Sequence, residues 1–368
     1  KHLFRPTDPI TRAELINILS NMVDTLVKET TTVTKDVSGS LLISAADGAT
    51  LKGIQIGGDL ILAPGVTKDV TLVDCVIQGN IRNYGTGEVR FEAPQITPES
   101  TATKPSEVYK PGATLDRTLE YGGKTVPIYR DRPLNVFSDV DFIWTGEENE
   151  NQRRLEYLGG EFRTRYGIDV SSFQGEIDWD AVADDNIDFA MVRVGFRGTG
   201  TGSLNTDKYY EQNIRGAMRA GLETGVYFFA QAVTVEEAIE EADYVISLLD
   251  GLDINGPVAY DWEMHDSTYR VYGTSPEMAT ACAVAFCERI KDAGYTPMVY
   301  GGTYVTYMKY DQGALADYLS WYPEYKSEKS EKLCPTLVYH MDYWQYSSKC
   351  SVAGIGGNVD VNLQFIRR

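Results

Sequence analysis

The sequence predicts an α/β protein whose main body is a modified TIM-like (β/α) barrel with reduced later helices. A small β-solenoid-like region and an N-terminal helix precede that barrel. Three observations carry this reading. After Gly167, short runs of buried-type residues alternate with amphipathic helical stretches, the pattern of parallel β/α architecture. Between Thr50 and Ile81, one pattern recurs with a fixed offset. Near the N-terminus, Thr11 and Glu14 stand three apart before an apolar run, as in a helix capping box.

The helix comes first in the chain. Phe4-Arg-Pro-Thr-Asp-Pro-Ile-Thr-Arg-Ala-Glu-Leu15 places Thr11 as the N-cap, and Leu15, Ile18, Leu19, Met22 and Val23 follow at helical spacing. From Thr31 to Ala93, β-branched runs are separated by glycine. Thr50, Leu51, Ile56, Gly58, Asp59 and Leu60 recur as Thr71, Leu72, Ile77, Gly79, Asn80 and Ile81. A period near 20 with alternating apolar positions predicts stacked coils. Residues 94–165 read as a linker with short strands, opening rich in Pro, Thr and Glu and ending in a charged run. A barrel beginning at Tyr166 would then stand without residues 1 to about 160, since a complete barrel buries its own core. The expected division is 1–30, 31–93, 94–165 and 166–368.

Within the last region the expected strands are Gly167–Val170, Phe189–Val194, Gly225–Ala230, Val258–Asp261, Met298–Gly301, Leu319–Trp321, Tyr343–Tyr346 and Val359–Leu363. Thr234–Leu249 and Pro276–Ala293 read as helices between them. Gly195 to Gly202 is glycine-rich but lacks the Gly-Lys-Ser/Thr ending of a phosphate loop, and reads as a flexible loop at the barrel mouth.

Composition excludes several functions. The net charge is −19, and acidic residues outnumber basic ones two to one from Tyr166 onward. Such a surface does not displace counterions from phosphate, so no nucleic-acid partner is expected. No apolar run reaches the roughly 20 residues of a membrane span. The chain starts at Lys1 without an apolar leader, and reads as a processed or truncated product. Of the five cysteines, Cys334 and Cys350 flank one strand and could be joined, though free buried thiols are the preferred reading. The histidines are scattered, and neither metal nor organic cofactor is expected.

Barrel enzymes build their sites at the carboxyl ends of strands. Those ends carry Asp169, Tyr227, Phe229, Asp261, Glu263, Tyr300, Trp321, Gln345 and Asp360. Carboxylates beside aromatic rings suit glycosidic cleavage, where one acid protonates the leaving oxygen and rings stack on sugar faces. In Asp261-Trp262-Glu263 the two acids are i and i+2 on a strand, so both face one cleft and push each other's pKa apart. Phe228 lies between Tyr227 and Phe229, and His265 lies two residues past Glu263 as a loop residue.

The same region resembles glycoside hydrolase family 25, the Chalaropsis-type muramidases. The resemblance rests on Gly167-Ile-Asp-Val-Ser171, Gly175-Glu-Ile-Asp-Trp179, Phe189-Ala-Met-Val-Arg-Val-Gly195, Gly225-Val-Tyr-Phe-Phe-Ala230 and Tyr260-Asp-Trp-Glu263. It continues through Trp321-Tyr-Pro-Glu-Tyr325, Trp344-Gln-Tyr-Ser347 and Val359-Asp-Val-Asn362. Phe228 departs from it, standing where many members have His. The resemblance implies hydrolysis, with retention, of the β-1,4 bond between N-acetylmuramic acid and N-acetylglucosamine in peptidoglycan. Glu263 would be the general acid/base and Asp261 would stabilise the reacting centre, while Asp169 and Asp360 tune them. Arg193, Tyr227, Phe229, Tyr300, Trp321 and Gln345 would bind substrate. It further implies a secreted, wall-associated protein. Residues 4–23 resemble the end of an S-layer homology repeat, which implies attachment to a cell-surface polymer. Two competing readings are a non-catalytic wall-binding protein on a degenerate barrel and a chitin hydrolase. The chitinase D-x-x-D-x-D-x-E strand is absent, since Pro257-Val-Ala-Tyr precedes Asp261.

Overall fold

A computed structural model describes residues 23–73, 75–77, 79–92, 103–112, 114–146 and 153–368. The capping box at Thr11 and most of the expected N-terminal helix lie outside the described residues. The chain divides into two compact units, the first ending at Ser100 and the second beginning at Thr101, with the loop 200–203 grouped with the first. Among the described residues no helix is long and apolar enough to cross a membrane.

In the first unit every strand pairing is parallel, and the repeated positions meet as partners: Thr50 opposite Thr71, Ile56 opposite Ile77, and Leu60 opposite Ile81. Inward positions are aliphatic, with Leu41, Ile43, Leu51, Ile56, Leu60 and Leu62 fully buried. Asp36, Asp59 and Asp69 each accept a backbone N–H from a later pass of the chain, at Gln55, Asn80 and Glu88 (2.7, 2.8 and 3.0 Å). Gly79 is required at its turn, because a Cβ there would lie 2.4 Å from Asp59 Oδ1.

The second unit is a mixed α/β fold around a closed barrel of eight strands. These are β1 (Phe162–Val170), β2 (Phe189–Arg197), β3 (Glu223–Ala230), β4 (Val258–Trp262), β5 (Pro297–Tyr300), β6 (Leu319–Pro323), β7 (Tyr343–Cys350) and β8 (Val359–Arg367). Each expected strand run lies within or overlaps one of them. Strands β1 to β7 are parallel neighbours in sequence order. Strand β8 closes the ring antiparallel to both β7 and β1. The parallel pattern read from sequence thus holds from β1 to β7 and ends at β8. Only residues 351–358 join β7 to β8, and a parallel crossover needs a dozen residues or more.

Helices α1 (Trp179–Asp184), α2 (Tyr210–Arg219), α3 (Val235–Leu248), α4 (Pro276–Asp292) and α5 (Thr303–Met308) pack outside the barrel. Asp178, Thr234 and Ser275 cap α1, α3 and α4 by accepting from Ala181, Glu237 and Met278 N–H. Past α5, the described residues of the barrel connections hold no α-helix. The barrel floor is filled by Phe189, Met191, Ala259, Met298 and Tyr343. Gly167 makes room for this packing, since a Cβ there would meet the Phe189 ring at 2.2 Å. The segment 195–202, read as a loop, is partly a hairpin: β2 runs on to Arg197 and pairs with Leu204–Thr206.

Residues 101–165, read from sequence as a linker, belong to the barrel's compact unit. They form two hairpins, Leu115–Tyr121 with Lys124–Tyr129 and Phe142–Thr145 with Arg154–Tyr157. Val126, Ile128, Phe142 and Leu155 enter the barrel's own hydrophobic core. Arg132 is buried and donates to Gln312 Oε1, Leu315 O and Tyr318 O (3.1, 3.2 and 3.2 Å). All five cysteines are free thiols, so Cys334 and Cys350 are not joined.

Candidate active site

At the rim where β1 to β7 end and β8 begins lies a cleft of about 310 Å³. The antiparallel course of β8 is what puts Asp360 there, near the start of its strand and directly opposite Asp169. All ten residues singled out from sequence line this cleft: Asp169, Arg193, Tyr227, Phe229, Asp261, Glu263, Tyr300, Trp321, Gln345 and Asp360. Ser171, Phe173, Gln174, His265 and Tyr325 complete its wall.

Asp169 is the hub of a buried hydrogen-bond web. Its Oδ2 accepts from Gln345 Nε2 and Asn362 Nδ2, both at 2.8 Å. The Trp321 indole N–H donates to Asn362 Oδ1 at 2.8 Å. Gln345 Oε1 accepts from Tyr300 OH and Tyr325 OH at 3.2 and 3.1 Å. Trp321 and Gln345 are almost wholly buried, and their hydrogen bonds tie Asn362 and Asp169 into this web. Tyr227 packs edge-on against the Trp321 ring.

Four carboxyl groups crowd this rim, and burial and neighbouring charge raise the proton affinity of three of them, Asp169, Asp261 and Asp360. Burial pushes the Asp169 carboxyl well up, and the charge of Asp360 adds to that, while the Asn362 and Gln345 hydrogen bonds oppose it. Asp261 is also pushed well up, first by burial and then by Glu263, against the pull of Arg193. Burial, with Glu263 next, lifts Asp360 to about 6. Asp261 is 5% exposed, whereas a quarter of the Glu263 side chain reaches solvent and pairs with His265 Nε2 at 2.9 Å. Glu263 is therefore the member of the pair that stands at the cleft opening.

Arg193 is a cation held firmly beside these acids. Asp207 binds its Nε and NH2 at 2.9 and 2.7 Å, and Ser172 Oγ accepts from it at 3.2 Å. Its guanidinium lies 5.1 Å from the Phe173 ring, which is 85% exposed. Asp207 also accepts the Ser172 and Tyr209 N–H groups, both at 3.0 Å, and so ties the β1–α1 turn to Arg193. Sequence reasoning missed Asp207, because nothing local marks an acid 14 residues downstream as the partner of Arg193. It also missed Phe173, which falls between the quoted motifs Gly167–Ser171 and Gly175–Trp179. Phe228 faces away from the cleft: it is fully buried in the outer core and meets Tyr244.

Comparisons with known proteins agree with this construction. The model of the glycosyl hydrolases family 25 matches residues 168–355. The autolytic lysozyme of Clostridium acetobutylicum is 26% identical over 197 residues, covering 53% of this chain and 54% of that protein. Lysozyme M1 of Streptomyces globisporus is 27% identical over 201 residues, covering 53% of this chain and 66% of that protein. The chain thus spans about half the length of the first of these relatives. Among solved structures, the bacterial lysozyme of Streptomyces coelicolor is 26% identical, with a TM-score of 0.44 over 54% of this chain and 90% of that one. The family match covers just over half of the chain and contains Asp169, Asp261 and Glu263, and the chain belongs to the glycosyl hydrolases family 25.

Proposed function

We propose that the barrel hydrolyses the glycan strands of peptidoglycan, cutting the β-1,4 bond after N-acetylmuramic acid with retention of configuration. The observation that carries this reading is the rim of four carboxyl groups within one aromatic-lined cleft, in which Asp261 is buried and Glu263 is open to solvent. Glu263 protonates the glycosidic oxygen and then activates the water that ends the cycle. Asp261 supports positive charge at the reacting carbon by orienting the substrate's acetamido group, whose oxygen attacks. Two features favour substrate assistance over a carboxylate nucleophile. Asp261 and Glu263 approach from one strand end, and they lie close enough that Glu263, next after burial, raises the Asp261 carboxyl. Asp169 and Asp360 hold the pair, and Tyr227, Phe229, Tyr300 and Arg193 contact the sugars. Such a substrate places the protein outside the cell membrane, at the wall.

Mass spectrometry of fragments released from purified peptidoglycan tests the bond. Fragments ending in reducing muramic acid are expected, and reducing glucosamine ends would refute the assignment. A covalent sugar on Asp261, trapped with a fluorinated substrate, would overturn substrate assistance.

A further inference from the structure

The main chain of Glu263 lies just past the end of β4, beyond the last rung of the β3–β4 ladder, where Ala230 faces Trp262. In place of the next rung, the side-chain amide of Gln231 donates to the Glu263 carbonyl at 2.8 Å. Gln231 does not line the cleft and is itself 0% exposed. Its own N–H donates to Glu241 Oε1 at 3.0 Å, and its carbonyl accepts from Arg270 NH1 at 2.9 Å.

Both of those partners are fixed in turn. Glu241, fully buried on α3, binds Arg197 Nε at 2.8 Å. Arg270 is gripped in bidentate fashion by Glu237, also on α3, at 2.9 and 2.8 Å. The Trp262 indole donates to Ala232 O at 3.1 Å and closes the same gap between the strands. The Arg197–Glu241 pair is buried and the Arg270–Glu237 pair partly so, and burying charge carries a desolvation cost that makes stability alone a weak reason to keep them. They converge on the one residue that grips the Glu263 backbone.

We propose that Gln231 is a positioning residue for the Glu263 carboxyl, held in turn by the Glu241–Arg197 and Glu237–Arg270 pairs. This rests on the reading of Glu263 as the general acid. The β-sheet ladder cannot fix a residue beyond its last rung, so the Gln231 amide supplies the missing constraint. A misplacement near 1 Å at a reacting group costs on the order of 100-fold in rate.

The test separates positioning of an acid from loss of structure. Gln231→Met keeps length and volume and removes the donor; Gln231→Leu serves if that variant fails to fold. Both, with Glu263→Gln as reference, are assayed on purified peptidoglycan. They are also assayed on aryl β-glycosides of a peptidoglycan disaccharide with good (dinitrophenyl) and poor (methylphenyl) leaving groups. The expected result is kcat lower by about 10–100-fold on peptidoglycan and on the poor leaving group, with KM within about 2-fold. On the dinitrophenyl glycoside, whose departure needs no proton, the loss shrinks to under about 3-fold. Equal loss on both glycosides, or a rise in KM at unchanged kcat, overturns the role of Gln231. If Glu263→Gln itself shows no leaving-group dependence, Glu263 is not the acid and the positioning role falls with it.

Discussion

In the first unit, Asp36, Asp59 and Asp69 are each tied to a backbone N–H, and no polar side chain is buried among the described residues. In the barrel, Asp169, Asp207, Asp261, Arg197, Glu241, Gln231 and Asn362 are all buried. Both units are built largely on parallel strands, so strand pairing does not explain the difference. Burying a charged or polar group costs several kcal/mol unless it is fully partnered. Among its described residues the first unit avoids that cost. The barrel accepts it in several places, at Arg132 and Lys309 as well as around the cleft, where Asp169, Asp261 and Gln345 are buried together.

The largest effect that can break this contrast is loss of the acid. Glu263→Gln should lower hydrolysis by about 10²–10⁴-fold with little change in melting temperature. Removal of residues 1–100 should leave turnover of soluble glycan fragments within about 3-fold. If that truncation is inactive, the first unit is more than a scaffold. A cut at residue 160 should fail to fold, because it removes Arg132, Phe142 and Leu155 from the barrel's own unit.

A core substitution in the first unit comes next. Leu60 is 0% exposed, and Leu60→Ala should cost that unit about 2–5 kcal/mol, read by hydrogen exchange, with turnover of soluble fragments unchanged.

The pH response should then differ in sign between the units. Folding raises the pKa of Asp360 to about 6 and of Glu241 to about 7, each chiefly through burial. The folded barrel therefore binds these protons more tightly than the unfolded chain does. Its stability from them is full below the unfolded values near 4 and is lost as pH climbs towards 6 to 7. Asp59 is lowered by the Asn80 N–H and by Arg82, so its contribution is present above the unfolded value and lost as pH falls. All five tryptophans lie in the barrel unit, so denaturation followed by their fluorescence reports the barrel alone. A barrel that gained stability from pH 4 to 7 would contradict this account.

The smallest expected effect sharpens the contrast at the rim. Phe173→Ala should raise KM several-fold, about 1 kcal/mol, while melting stays put, since the ring is 85% exposed. An unchanged KM would leave that exposed ring without a role in binding.

Much of this was legible in the sequence because it is local. Strand runs, helix caps and the recurrence from Thr50 to Ile81 depend on residues close in the chain, and the cleft residues followed from strand ends. The antiparallel course of β8 was legible only in the short span 351–358, which the parallel pattern upstream obscured. Short strands were legible in residues 94–165, but their place in the barrel's own core was not, because their composition is largely polar. Partnerships such as Arg193 with Asp207, or Gln231 with Glu263, leave no periodic trace, because they arise only when distant turns meet. Trp321 and Gln345 were found at the right place, but their buried, supporting position is a matter of packing that spacing does not encode.

Strand β8 is the last of the eight to leave the ribosome, and it sits between the first and the seventh. Until it emerges, β1 and β7 each lack a neighbour, and Asp169 lacks both Asn362 and Asp360. At about 5–20 residues per second, every earlier part of the barrel is made before the site can exist. A nascent chain that stops short of β8 therefore lacks the Asn362 and Asp360 that complete the rim. The rim is complete only once β8 enters the seam between β1 and β7.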